Sequence, residues 1–103
     1  MTLPLRVEGL IDRDVAALLR EQLSGLSPSK EGNRVDLGEA DIEDAVVVSL
    51  LIEALRDTAQ RLGSLEVVGA PQVLAHGLYR VGALGPNANL RLIDPREELG
   101  TSS

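Results

Sequence analysis

Residues Glu39 to Leu55 read EADIEDAVVVSLLIEAL. Four acids, Glu39, Asp41, Glu43 and Asp44, fall within six residues, and the chain then turns apolar at Ala45, Val46, Val47 and Val48. Upstream, Val35 and Leu37 begin a strand by their alternation, continued or bent through Ala40 and Ile42. Downstream, the pattern predicts a long helix from about Ala45 to Leu62. Ser49, Glu53, Arg56, Asp57 and Gln60 form its polar stripe, and Leu50, Leu51, Ala54, Leu55, Thr58 and Leu62 cover the remainder. Asp44 is placed to cap this helix, and Gly63 to take the position after its last turn. A strand running straight into a helix is a usual anion site, because the first turn has unpaired N–H groups. This one has no glycine, no lysine and no hydroxyl before Ser49.

The same alternation of periods extends in both directions. Leu3, Leu5 and Val7 alternate with polar neighbours as a strand does, with Pro4 at its start or on an edge and Gly9 ending it. Asp12 is the expected N-cap of a helix whose apolar stripe is Val15, Leu18, Leu19, Leu23 and Leu26. Ser27 to Asn33 is a loop by composition. LEVVG, Leu65 to Gly69, resembles a short buried parallel strand. Pro71 stands at the favoured first position of a third helix built on Val73, Leu74, Leu78 and Val81 and closed by Gly82. NLRLID, Asn89 to Asp94, alternates as a last strand. Strand and helix therefore alternate as β-α-β-α-β-α-β, which implies an α/β fold with a small, mostly parallel sheet of about four strands flanked by helices. Residues 1–95 are expected to form one domain, with residues 96–103 a polar tail.

The totals exclude several classes of partner. The chain has 103 residues, nineteen of them leucine, with no Phe, no Trp and Tyr79 as the sole aromatic, so its core is aliphatic. Its net charge is −6, and nine of its ten bases are arginines scattered along the chain. Nucleic-acid binders and proteins that sit on anionic membranes need clustered bases. Without cysteine there is neither a disulfide framework nor thiolate chemistry. No apolar run approaches the roughly 20 residues of a spanning helix, and the N-terminus lacks the regions of a signal peptide. The expected location is the cytoplasm.

No convincing enzyme emerges from the residues. Oxygen ligands suit Mg²⁺ or Ca²⁺, but strand alternation puts Asp41 and Glu43 on one face and Asp44 on the other. His76 is the single histidine, on the third helix and without an acid at helical spacing. Ser49 lies within a helix rather than on a strained turn. No glycine-rich phosphate loop occurs. No cofactor and no metal are expected.

Five segments, in order, resemble the STAS domains, the family of bacterial anti-sigma factor antagonists. LRVEGLIDRDVAALLREQL resembles the family's opening strand, glycine, aspartate and first helix. RVDLGEADIED resembles its second strand. LIEALRDTAQRLGSLEVVGAP resembles the long helix, a glycine, a strand and a Gly-x-Pro turn. VLAHGLYRVGAL resembles the third helix, and LRLID the last strand. The resemblance spans Leu5 to about Ile93. In family members that act as phosphoswitches, the second strand ends in Asp-Ser-Ser-Gly, and a partner kinase, itself the anti-sigma factor, phosphorylates the second Ser. By that match Asp44 stands for the Asp, Ala45 for the first Ser, Val46 for the phosphorylated Ser and Val47 for the Gly. The acid is kept and both hydroxyls are gone. The family's additional first strand and its final helix have no clear counterpart here, and a second copy of the chain would be one way to cover the edges they leave.

The resemblance thus implies a non-catalytic, regulatory protein–protein interaction module of the cytoplasm that lacks the Ser phosphoswitch. The implied partner-binding residues are Asp41, Glu43, Asp44, Ala45, Val46, Val47 and Ser49, an apolar patch rimmed by acids. The partner is an anti-sigma factor or kinase-like protein. The alternatives are a STAS subunit of a lipid-transport ABC system, docked on a transporter subunit, and a small-molecule or metal-binding domain that uses the acidic cluster.

Overall fold

Two aspartates set where the first two helices begin. The computed structural model describes residues 5–28, 33–84 and 89–94. Its elements are β1 (Leu5–Ile11), α1 (Arg13–Ser24), β2 (Arg34–Ile42), α2 (Ala45–Leu62), β3 (Leu65–Val68), α3 (Gln72–Arg80) and β4 (Leu90–Ile93). The Asp12 carboxylate accepts from the Val15 N–H at 2.9 Å, and the Asp44 carboxylate accepts from the Val47 N–H at 3.0 Å. Each satisfies an amide that the helix itself cannot. At the far end of α2, Gly63 takes φ +86°, a left-handed value that favours glycine, and its N–H donates to the Ala59 carbonyl.

The four strands form one sheet in the order β1-β2-β3-β4, and every neighbouring pair is parallel. Right-handed crossovers taken three times in one direction put α1, α2 and α3 on the same face. A single aliphatic core lies between that helix layer and the sheet. Ile11, Val35, Leu37, Leu65, Val67 and Leu90 enter it from the strands, and Leu19, Leu23, Leu51, Leu55, Leu74 and Leu78 from the helices. The opposite face carries Arg6, Glu8, Arg34, Asp36, Glu66 and Arg91, with Val68 and Ile93 side by side at the ends of β3 and β4. Register aligns Arg34 with Glu66 and Glu66 with Arg91, and Arg34 pairs with Glu66 at 2.9 Å.

The apolar positions of β2 explain a break in its pairing with β1. Val35, Leu37, Ala40 and Ile42 all pack on the core, yet Leu37 and Ala40 are three apart. A strand of strict period two cannot bury both pairs. One extra residue solves this: Arg6 pairs with Asp36 and Glu8 with Glu39, so Leu37 and Gly38 together oppose Val7. The Asp36 carboxylate accepts from the Gly38 N–H at 2.9 Å within this bulge.

Several expectations are corrected. β1 does not end at Gly9; it continues to Ile11 through a glycine at φ +83°. In α1 the buried stripe is Ala16, Leu19 and Leu23, and Leu18, about 100° around the helix from Leu19, is 54% exposed. Leu26 packs on the core from beyond the helix end. Pro71 precedes α3 rather than opening it. Val73 and Val81 are exposed, leaving Leu74 and Leu78 to anchor α3, and Val81 rather than Gly82 ends the helix. Pro4 and the tail from residue 96 lie outside the described residues.

α2 is the middle helix and packs on both neighbours. Arg61 reaches from it to the end of α1, donating to the Leu26 carbonyl at 2.7 Å and the Leu23 carbonyl at 2.6 Å. On the other side α3 comes close because Gly77 has no side chain. A Cβ there would lie 2.7 Å from Ile52 Cδ1 and 3.4 Å from Val48 Cγ1. Gly77→Ala should gain roughly 1 kcal/mol of helix propensity and lose a comparable amount by displacing the Ile52 tip. In urea unfolding the single change should therefore be nearly neutral. In an Ile52→Val background, where Cδ1 is gone, it should stabilise by about 1 kcal/mol. Equal effects in both backgrounds would show that this contact does not set the α2–α3 spacing.

Candidate functional site

Because all strands are parallel, the C-terminal ends of the strands and the N-termini of the helices gather at one end of the molecule. The β2–α2 junction lies at that end. β2 stops at Ile42, so Glu43 and Asp44 lie beyond the strand, and the face assignment of Glu43 by alternation does not apply. The Glu43 N–H donates to the Ile11 carbonyl at 3.0 Å, which ties the junction to the end of β1. Asp44 has an extended backbone and caps α2, so its carboxylate is fixed over the first turn.

The structure divides the expected site residues. Asp44, Ala45, Val46 and Ser49 are exposed together on the first turns of α2. Val46 is 49% exposed. Val47 and Val48 are buried, at 0% and 8%, so these two fill the core, and Val47 offers a partner no side-chain surface. Asp41 is exposed too, but it pairs in register with Leu10 on β1, and the bulge turns it to the open face of the sheet. The carboxylates of Asp41 and Asp44 therefore do not converge. Among the described residues no three of His, Asp and Glu gather where they could hold a metal ion. His76 is exposed on α3.

Two exposed apolar residues near this end escaped the sequence pattern. Leu50, placed outside the polar stripe of the helix, is 38% exposed, one helical turn beyond Val46 on the same side of α2. The sequence held no clear signal for this: adjacent positions are about 100° apart, yet Val47 with Val48 and Ala54 with Leu55 both enter the core, so standing beside Leu51 did not decide it. Leu10, at 58%, stands on the edge strand β1 next to Asp41. Its exposure follows from the continuation of β1 past Gly9. The surface at the head of α2 is thus an apolar pair, Val46 and Leu50, behind a capping aspartate, with Ser49 flanking Val46 on the side away from Leu50.

The chain matches the family described as Mlab, STAS domain, over residues 2–91 and belongs to that family. No curated protein matches it. Family membership makes the chain a regulatory or binding module of a kind that generally works through protein–protein contacts and is generally non-catalytic. No helix among the described residues is long and apolar enough to cross a membrane.

Asp44→Ala should cost about 1 kcal/mol in chemical denaturation, and Asp44→Ser much less, since a hydroxyl still caps the Val47 amide. Val46→Ser should cost about 1 kcal/mol or less, as expected for an exposed position. A Val46→Ser loss of several kcal/mol would place that side chain in the core.

Proposed function

We propose that this chain is a protein-docking module that engages its partner with the head of α2 and lacks the family's serine phosphoswitch. Asp44, Ala45, Val46 and Ser49 make the contact, with Leu50 extending it, Asp41 and Glu43 at its rim and Val47 holding the turn from beneath. The observation that carries the proposal is the state of Val46. It sits half-exposed in the first turn of α2 while its neighbours Val47 and Val48 are buried. An exposed apolar side chain beside a charged cap is a feature of docking surfaces. The position matched to the family's phosphorylated Ser is open to a partner, yet an isopropyl group accepts no phosphoryl group.

A kinase-like anti-sigma partner would therefore bind this chain without being able to release it by modification. Regulation would act on the partner, on expression or through a ligand. The description of the family, Mlab, STAS domain, says nothing of sigma factors. The transporter partner accordingly stands as a second proposal, a subunit of a lipid-transport ABC system docked on the same surface. The acidic cluster as a metal or small-molecule site gains no support, because its carboxylates are split around the sheet end.

The test is to purify the chain with its native partner, add ATP, and follow the complex by gel filtration and mass spectrometry. The complex should persist, and no hydroxyl of α2 should carry stoichiometric phosphate. Phosphate on Ser49 or Thr58 with release of the partner would show an ordinary phosphoswitch, differently placed.

A further inference from the structure

Charge on this molecule is sorted along the strand direction. At the end that holds the head of α2 stand Asp12, Asp14, Glu39, Asp41, Glu43 and Asp44, with Arg13 the lone base among the described residues there. The opposite end holds Arg34, Arg61, Arg80 and Arg91 against Glu21 and Glu66. Helix dipoles account for part of this. Asp12 and Asp44 are caps, Asp14 is in the first turn of α1, and Arg61 and Arg80 are in last turns. Glu39, Asp41 and Glu43 serve no helix. None of these three acids is in an ion pair with another described residue. Like charges held together without compensation disfavour the folded state, and a cationic partner would remove that cost.

We infer that the partner of this surface is a basic polypeptide, one that presents lysine or arginine around an apolar anchor seated on Val46 and Leu50. The inference rests on the docking proposal above and adds the chemistry of the partner to it. The apolar pair gives the contact its position, and the acids of this end, Glu43 and Asp44 beside the pair and Glu39 and Asp41 on the far side of the sheet, attract a positive surface and repel a negative one. A nucleic acid or an anionic membrane is repelled by the same field.

Two synthetic amphipathic helical peptides with one apolar face, differing only in a lysine or a glutamate rim, provide the probe. Each is titrated into the isotope-labelled chain and followed by amide chemical shifts. The lysine peptide should bind, with shifts confined to residues 12–14 and 39–50, and the glutamate peptide should not. Val46→Ser keeps every charge and should weaken the lysine peptide about fivefold. The pair Asp41→Lys and Glu43→Lys, both exposed and so tolerated, should abolish binding. Equal binding of both peptides at the α2 head would overturn the basic partner and leave the docking surface standing. Shifts centred on α3, or on the open sheet face around Glu66 and Arg91, would overturn both. Undiminished binding by Val46→Ser would reduce the effect to charge attraction without an anchor and overturn the inference, as would failure of both peptides to bind.

Discussion

Three right-handed crossovers in the same direction constrain everything else in this molecule. The order β1-β2-β3-β4 follows chain order without reversal, so none of the described helices crosses to the second face of the sheet. The helix layer must then carry the whole apolar burden, and α2, in its middle, is wedged between two neighbours as well as against the sheet. Its sides are spoken for by α1 and α3, and its inner face by the core. What remains free is its outer stripe and its N-terminal turns. Among the described residues no helix lies on the other face, which carries Arg6, Glu8, Arg34, Asp36, Glu66 and Arg91 alongside Val68 and Ile93.

Much of this was legible in the residues. The alternation of periods 2 and 3.6 marked every element, and Asp12, Asp44 and Gly63 marked helix ends because each meets a specific backbone need. Even the bend in β2 is written in the spacing of Val35, Leu37, Ala40 and Ile42, which breaks period two between the second and third of these residues. The failures have one physical source. In an aliphatic sequence nearly every leucine or valine fits some helical stripe, so the stripe alone does not fix the rotation of a short helix. Leu18, Leu50 and Val73 each sit beside a leucine that does enter the core, and tertiary packing chose between the two. Gly9 misled for a different reason: a glycine at positive φ usually ends a strand, but here pairing with β2 carries the strand past it.

The candidate site was only partly legible. Sequence placed the acids and the valines together at one junction, and the fold confirms the junction but not the grouping. Asp41 faces the open side of the sheet, Val47 and Val48 face the core, and Val46 alone of the three valines faces out. That residue is the one on which the proposed docking rests. Its neighbours anchor the first turn of α2, Asp44 fixes the turn's first amide, and the isopropyl group is held where the family's resemblance places a modifiable hydroxyl. The exposure of Leu10, Val46 and Leu50 is a cost in water that docking on a partner would offset.

The most direct measurement is hydrogen–deuterium exchange on the complex with the native partner, compared with the free chain. If the head of α2 is the docking surface, added protection will cover the peptides spanning Glu43 to Leu50, with the amides of β3 and α3 unchanged. Protection concentrated instead on the open sheet face around Glu66 and Arg91, or along α3 around Val73 and Tyr79, with no change at Val46, would contradict the account.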